Sequence, residues 1–142
     1  MSLVNRMHIL HVYQSPSFSG AEGYALEVAI HQAKTSNVTF LVKAGAPLET
    51  RVAQAGIKTA RSLAGLELAK FDVVILHSTQ ELKRHWPLIA LAKIKARVGG
   101  HKTPKVIVYT HIWISHSKIV FRYGNAEHRR EVACDSAIAG SV

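Results

Sequence analysis

Apolar residues fall along this chain in two alternating patterns: short, nearly unbroken runs, and longer stretches in which they recur every three to four positions. The short runs predict strands at Met7–Tyr13, Asn37–Lys43, Ile57–Ala60, Asp72–Leu76 and Lys105–Thr110. The run after Asp72 is almost wholly apolar, as a strand buried on both faces must be. Between them the helical period returns. Leu26, Ala29, Ile30 and Ala33 mark a helix from about Gly20 to Lys34. A shorter helix, Pro47–Gln54, has proline at its start and Gly56 just past its end.

A helix interrupted by Gly65 is predicted over Ser62–Lys70, and another from near Pro87 to Gly99-Gly100. Lys118–Ala133 reads as helical, and Ala137-Ile138-Ala139 as the beginning of a sixth strand. Strand and helix alternate throughout, which predicts an α/β fold: a doubly wound parallel sheet, Rossmann-like, in three layers α/β/α. The chain closes on a strand just begun, so it is expected to be the amino-terminal part of something longer.

Length and composition narrow the class. At 142 residues, 48% of them hydrophobic, the chain suits one domain with a substantial core. No apolar run reaches the roughly 18 residues of a membrane span, and the apolar run after Arg6 is broken by His8 and His11, unlike a secretory signal. The one cysteine, Cys134, excludes an internal disulfide and fits a reducing compartment, so the cytoplasm is the expected address. Lys and Arg number 18 against 9 Asp and Glu, a formal charge of +9 that calls for an anionic partner.

Candidate chemistry gathers where predicted strands end. The runs Asp72–His77 and Val106–His111 each finish in a histidine, and the first run leads through Gln14-Ser15-Pro16 into Ser19-Gly20-Ala21-Glu22. Loops at the carboxyl ends of parallel strands form the ligand crevice of such sheets. Ser19–Glu22 has the spacing of a capping box. The same helix start would also favour phosphate, with Gly20 letting a ligand come close to the backbone. It lacks the spacing of a dinucleotide fingerprint. His77 and His111 read either as core histidines with a local hydrogen bond or as ligand contacts. The loop after His111, Ile-Trp-Ile-Ser-His116-Ser, has the polar-aromatic character of a ligand-contacting loop. His77, His111 and His116 offer no Cys, Asp or Glu partner in metal-site spacing, so no metal is expected.

Lys83-Arg84-His85-Trp86, with Lys93, Lys95, Arg97, His101 and Lys102, forms the most basic region. It reads as cations complementing a helix dipole. A second reading is an interfacial patch, with Trp86 at headgroup depth against anionic lipid, giving peripheral contact with the inner face of a membrane; the apolar stretch Leu88–Ala92 favours partial packing of this helix on the core instead.

In the order and spacing of these pieces the chain resembles the amino-terminal half-domain of retaining glycosyltransferases of the two-Rossmann (GT-B) class, the large "group 1" family. Ser19-Gly20-Ala21-Glu22 is similar to the family's Gly-Gly-x-Glu helix start, with serine in place of the first glycine. Asp72–His77 matches its Asp-apolar-apolar-x-x-His strand, Thr110-His111 its Thr-His loop, and Asp135–Ser141 the strand before its interdomain segment. The resemblance implies transfer of a sugar from a nucleotide diphosphate sugar to an acceptor hydroxyl with retention, with a glycan or lipid-linked acceptor and no other cofactor. It implies that Ser19 and Gly20 face the donor phosphate, and that His111 stands beside the donor sugar as the catalytic group. His77, Ser78 and His116 would line the acceptor side. The family's donor-binding carboxyl-terminal domain, with its Glu pair, is absent from these residues, so they are expected to be inactive alone. Two other readings stand beside this one: a self-contained nucleotide- or phosphate-binding module centred on the first helix start, and a basic nucleic-acid-binding domain. The latter lacks any recognised motif, and no nucleic acid is expected.

Overall fold

The computed structural model describes residues 5–109. They form five strands and three helices: β1 (His8–Tyr13), α1 (Gly20–Ala33), β2 (Asn37–Val42), α2 (Pro47–Gln54), β3 (Lys58–Ala60), β4 (Val73–Leu76), α3 (Thr79–Val98) and β5 (Lys105–Val108). All five strands pair in parallel in the order β3-β2-β1-β4-β5.

Each face of the sheet carries its own core. On one face Ile9, Phe40, Val42 and Ile75 pack with Ala25 and Ala29 of α1 and Leu48 and Val52 of α2. On the other, Leu10, Val12, Val74, Leu76 and Val106 pack with Leu82 and Ile89 of α3. Because side chains alternate along a strand, a continuous apolar run serves both layers at once. The result is the expected doubly wound α/β/α sandwich.

Helix ends follow local chemistry. Gly56 adopts φ +76°, and its N–H donates to the Ala53 carbonyl while Ile57 N–H donates to Val52. That pair of bonds is a Schellman closure, and the buried Ile57 and Val52 supply its apolar contact. Gly100 at φ +72° closes α3 in the same way, through bonds to Arg97 and Ala96.

Two elements depart from the sequence expectation. Helix α3 begins at Thr79, a full two turns before Pro87, which lies inside it. Proline removes the bond to the carbonyl four residues back. Here that carbonyl belongs to Lys83, and both Lys83 and Pro87 are exposed, so solvent can serve it. The cap at Ser78 and burial of Leu82, His85, Ile89 and Ala96 outweigh the defect. Conversely, Ser62–Lys70 holds only one 3-10 turn, Leu68–Lys70. Leu63 and Leu68 are nevertheless buried against the α3-side core, so their apolar spacing reflects tertiary packing rather than a helix. The expected helix at Lys118–Ala133 and strand at Ala137–Ala139 lie outside the described residues.

Candidate functional site at the carboxyl edge

The chain leaves β1 for α1 on one face of the sheet and leaves β4 for α3 on the other, while β1 and β4 are neighbours. This is the topological switch point, where connections diverge and leave a crevice. Tyr13, Gln14, His77 and Ser78 therefore stand side by side, tied by the His77 N–H donating to the Val12 carbonyl at 3.1 Å. The starts of α1 and α3 flank them. The carboxyl end of β5, at Val108 and Tyr109, lies on the same edge.

Beneath the crevice runs a column of stacked rings. His11 stacks on Phe40 at 5.3 Å and on His77 at 5.0 Å, and Tyr13 stacks on His77 at 5.7 Å. The hydrogen bonds fix the tautomers. Gln32 Oε1 can only accept, so at 2.6 Å the His11 Nε2 carries the proton. Neutral His11 then offers the Nδ1 lone pair, and His77 Nε2–H donates to it at 2.7 Å. Burial holds His11 neutral, with its pKa lowered to about 4 against a smaller opposing effect of the Gln32 bond. His77, itself buried, thus has one ring nitrogen committed to His11 and its orientation set from below.

Two carboxylates frame the crevice, each at the third residue of a helix. Burial acts to raise the Glu22 pKa, but the Ser15 and Ser19 hydroxyls and the Ser19 N–H all donate to it and together bring it down to about 2. Glu22 is therefore ionised. It also presses on Tyr13, whose hydroxyl is raised to about 12 by burial first, then by the charge and hydrogen bond of Glu22 and the more distant charge of Glu81.

Glu81 binds differently. Its Oε1 accepts from the Gln14 backbone N–H at 3.0 Å. His85 Nε2 lies 3.1 Å from Glu81 Oε2 and 3.0 Å from Gln14 Oε1, two acceptors, so this nitrogen bears a proton shared between them. Gln14 also donates from its amide to the Arg61 carbonyl. The loop after β1 is in this way clamped to the first turns of α3, and Phe18 farther along it lies under the Arg51 guanidinium at 4.1 Å.

The sequence-predicted residues sort as follows. Ser19 is occupied with Glu22, which is the capping-box arrangement. Gly20 has open space where a Cβ would project, with no atom within 4 Å, so packing does not require a glycine there. His77 sits at the switch point but is closed off from solvent. Ser78 is the N-cap of α3, its Oγ accepting from Glu81 N–H at 3.1 Å. His111 and His116 lie outside the described residues. Ser78→Ala should cost about 1 kcal/mol of folding stability through loss of this cap, read as a lowered denaturant midpoint.

The sequence reading does not single out His11, Tyr13, Gln14, Gln32 or Glu81 as site residues, and places His85 only in the basic cluster. Two signals were available. Strand alternation puts His11 and Tyr13 on one face, and Ser78-Thr79-Gln80-Glu81 repeats the serine-to-glutamate spacing of Ser19–Glu22. Among the described residues, no group of three or more His, Cys, Asp or Glu side chains is arranged to hold a metal ion, and no helix is long and apolar enough to cross a membrane.

Fold and edge together define a Rossmann-like α/β domain with a polar crevice at its switch point. Comparison with protein-family models, curated proteins and solved structures finds no match to this chain.

Proposed function

We propose that this domain is the acceptor-side, amino-terminal half of a retaining glycosyltransferase that uses a nucleotide diphosphate sugar. The observation that carries the reading is the open approach to Gly20 at the α1 start, on the same sheet edge as His77 and the carboxyl end of β5. A donor diphosphate would meet the backbone N–H groups of the first turn beyond Ser19, while Glu22 keeps the serine-rich loop in place. A sugar acceptor, as a glycan or lipid-linked hydroxyl, would enter from the switch-point side beside Tyr13 and Ser78. His111, after β5, would stabilise charge near the reacting carbon, with His116 on the acceptor side. A second domain must close over the crevice to supply the remaining donor contacts, because catalysis needs groups held on both sides of the reacting atoms. The cytoplasm, with its nucleotide sugars and reducing conditions, is the setting that fits.

A self-contained phosphate module centred on the α1 start is less favoured. The ionised Glu22 already takes the Ser19 N–H and hydroxyl and sets a like charge beside the helix start, so an anion there needs further donors of the kind a second domain would supply.

The test uses the complete product of the reading frame, assayed with a panel of nucleotide diphosphate sugars, beside its Gly20→Ala variant. Alanine at this helical position should leave folding unchanged or raise stability by about 0.4–1 kcal/mol. Transfer should fall nonetheless, through a raised KM for the donor. Absence of any sugar transfer by the complete product, or an unaltered donor KM in the variant, refutes the reading.

A further inference from the structure

A helix packed on a sheet needs one apolar stripe, facing the core. Helix α3 has two. Leu82, Ile89 and Ala96, spaced seven apart, form the buried line against the sheet. On the opposite side Pro87, Leu91, Ile94 and Val98 follow at i, i+4, i+7 and i+11, and all four are exposed, Ile94 by 60% and Val98 by 85%. Nothing in the fold of the described residues covers this second line. Leu88, also exposed, extends it toward a shallow groove of about 160 Å³ that α3 forms with Leu63, Leu66 and Leu68.

The flanks of the outer line are cationic. Lys83 and Arg97 stand along one side, Arg84 and Lys95 along the other, and all are exposed. The only acidic residue in α3 is Glu81, buried in the first turn and engaged with Gln14, His85 and Arg84, whose guanidinium lies 3.4 Å from its Oε1. An apolar line bordered on both sides by lysine and arginine, with no acid on the face, is the pattern of a helix lying in the plane of a membrane interface.

We infer that the outer face of α3 docks on an anionic lipid bilayer, with Leu91, Ile94 and Val98 in the acyl boundary and Lys83, Lys95 and Arg97 among the headgroups. This inference does not rest on the function proposed for the carboxyl edge. Charge decides between occupants. A second copy apposed through the same face would set Lys83, Lys95 and Arg97 against their own counterparts, with no exposed acid on the helix to relieve them. A nucleic acid would meet an apolar centre with no aromatic side chain to stack on. Trp86, expected from the sequence at headgroup depth, instead packs partly buried against the α3-side core. Its place in the contact is taken by the aliphatic line.

The experiment is co-sedimentation of the 142-residue chain with vesicles of equal parts phosphatidylcholine and phosphatidylglycerol, against vesicles of phosphatidylcholine alone. The anionic vesicles should bind and the neutral ones should not. Substituting Lys83, Lys95 and Arg97 by Gln should weaken binding by about a hundredfold, at about fivefold per cation near a charged surface. Their Lys→Arg and Arg→Lys counterparts should retain it. The triple variant Leu91→Gln, Ile94→Gln, Val98→Gln should also lose binding while keeping the wild-type unfolding midpoint, since it alters exposed side chains only. The inference is overturned by equal binding to neutral vesicles, or by binding that survives both sets of substitutions. It is also overturned if the apolar variant lowers the unfolding midpoint or dissolves a dimer, which would mean the line is already covered by protein. Displacement of vesicles by an oligonucleotide, with dependence on the cations and none on the apolar line, overturns it in favour of nucleic acid.

Discussion

Acid should destabilise this domain in a window set by His11. The folded pKa is about 4 and the unfolded value 6.5, so the lowered value favours the neutral ring in the native state. Above pH 6.5 both states hold the ring neutral and it contributes no pH dependence. As pH falls from 6.5 toward 4, the unfolded chain takes up a proton that the native ring refuses, and stability drops with it. The full loss is on the order of 3 kcal/mol, reached near pH 4. Glu22 adds a second, lower window. Its native pKa of about 2 stabilises the fold above pH 4.5, and that contribution fades between pH 4.5 and 2 as the carboxylate protonates.

His11→Phe separates the two effects. Phenylalanine keeps a ring on Phe40 but removes the partner of both His77 Nε2–H and Gln32 Oε1. A buried group that loses its hydrogen-bond partner costs about 1–3 kcal/mol, so the variant should be the less stable protein at pH 7. It has no proton to refuse, however, and its disadvantage should shrink steadily from pH 6.5 down to 4. Denaturant unfolding of both proteins at a series of pH values would show the curves converging. Parallel curves would mean that the acid sensitivity resides elsewhere.

The strands were legible in the sequence because both faces of the sheet are covered, so Val73–Leu76 and Val38–Val42 needed no polar alternation and stood out as apolar runs. Gly56 and Gly100 announced their helix ends because a left-handed residue closes each one. The start of α3 was hidden by Pro87, the strongest local sign against helix interior. Only the tertiary setting shows that its exposed side and a well-made cap nine residues earlier make it tolerable. Leu63, Leu66 and Leu68 misled in the opposite direction, since burial in irregular backbone produces helix-like spacing without a helix.

The edge chemistry was half visible. Polar residues at strand ends pointed to the switch point, but the pairing of His11 with His77 spans 66 positions and exists only because β1 and β4 are neighbours. Strand order is a property of the whole sheet. The same holds for Glu81 and Gln14, which meet because α1 and α3 leave adjacent strands on opposite faces. His85 read as one member of a basic cluster, yet it turns inward to a carboxylate, while the cations on either side of the outer line of α3 face solvent.

Turnover should depend on His111 by a larger factor than folding does. In the proposed transferase, His111 follows β5, whose carboxyl end stands on the same edge as Gly20 and His77. Negative charge develops on the departing diphosphate while positive charge develops at the anomeric carbon, and a group held beside them acts only as the transition state forms. Removing one such pre-organised group raises the barrier by about 2.7–4 kcal/mol, roughly two to three decades in rate. His111→Ala in the complete product should therefore lower kcat by that factor with little change in donor KM, because the lost interaction belongs to the transition state rather than to binding. Truncation of a side chain outside the packed core changes folding stability by only about 0.5 kcal/mol, so on this reading the unfolding midpoint of the same variant should stay near wild type. His11→Phe should behave in the opposite way, with a clear loss of stability and a smaller effect on kcat transmitted through the orientation of His77. The two variants measured side by side give a crossed pattern. Near-normal kcat in His111→Ala removes this residue from the chemistry, and joint loss of kcat and midpoint makes it a packed core histidine instead.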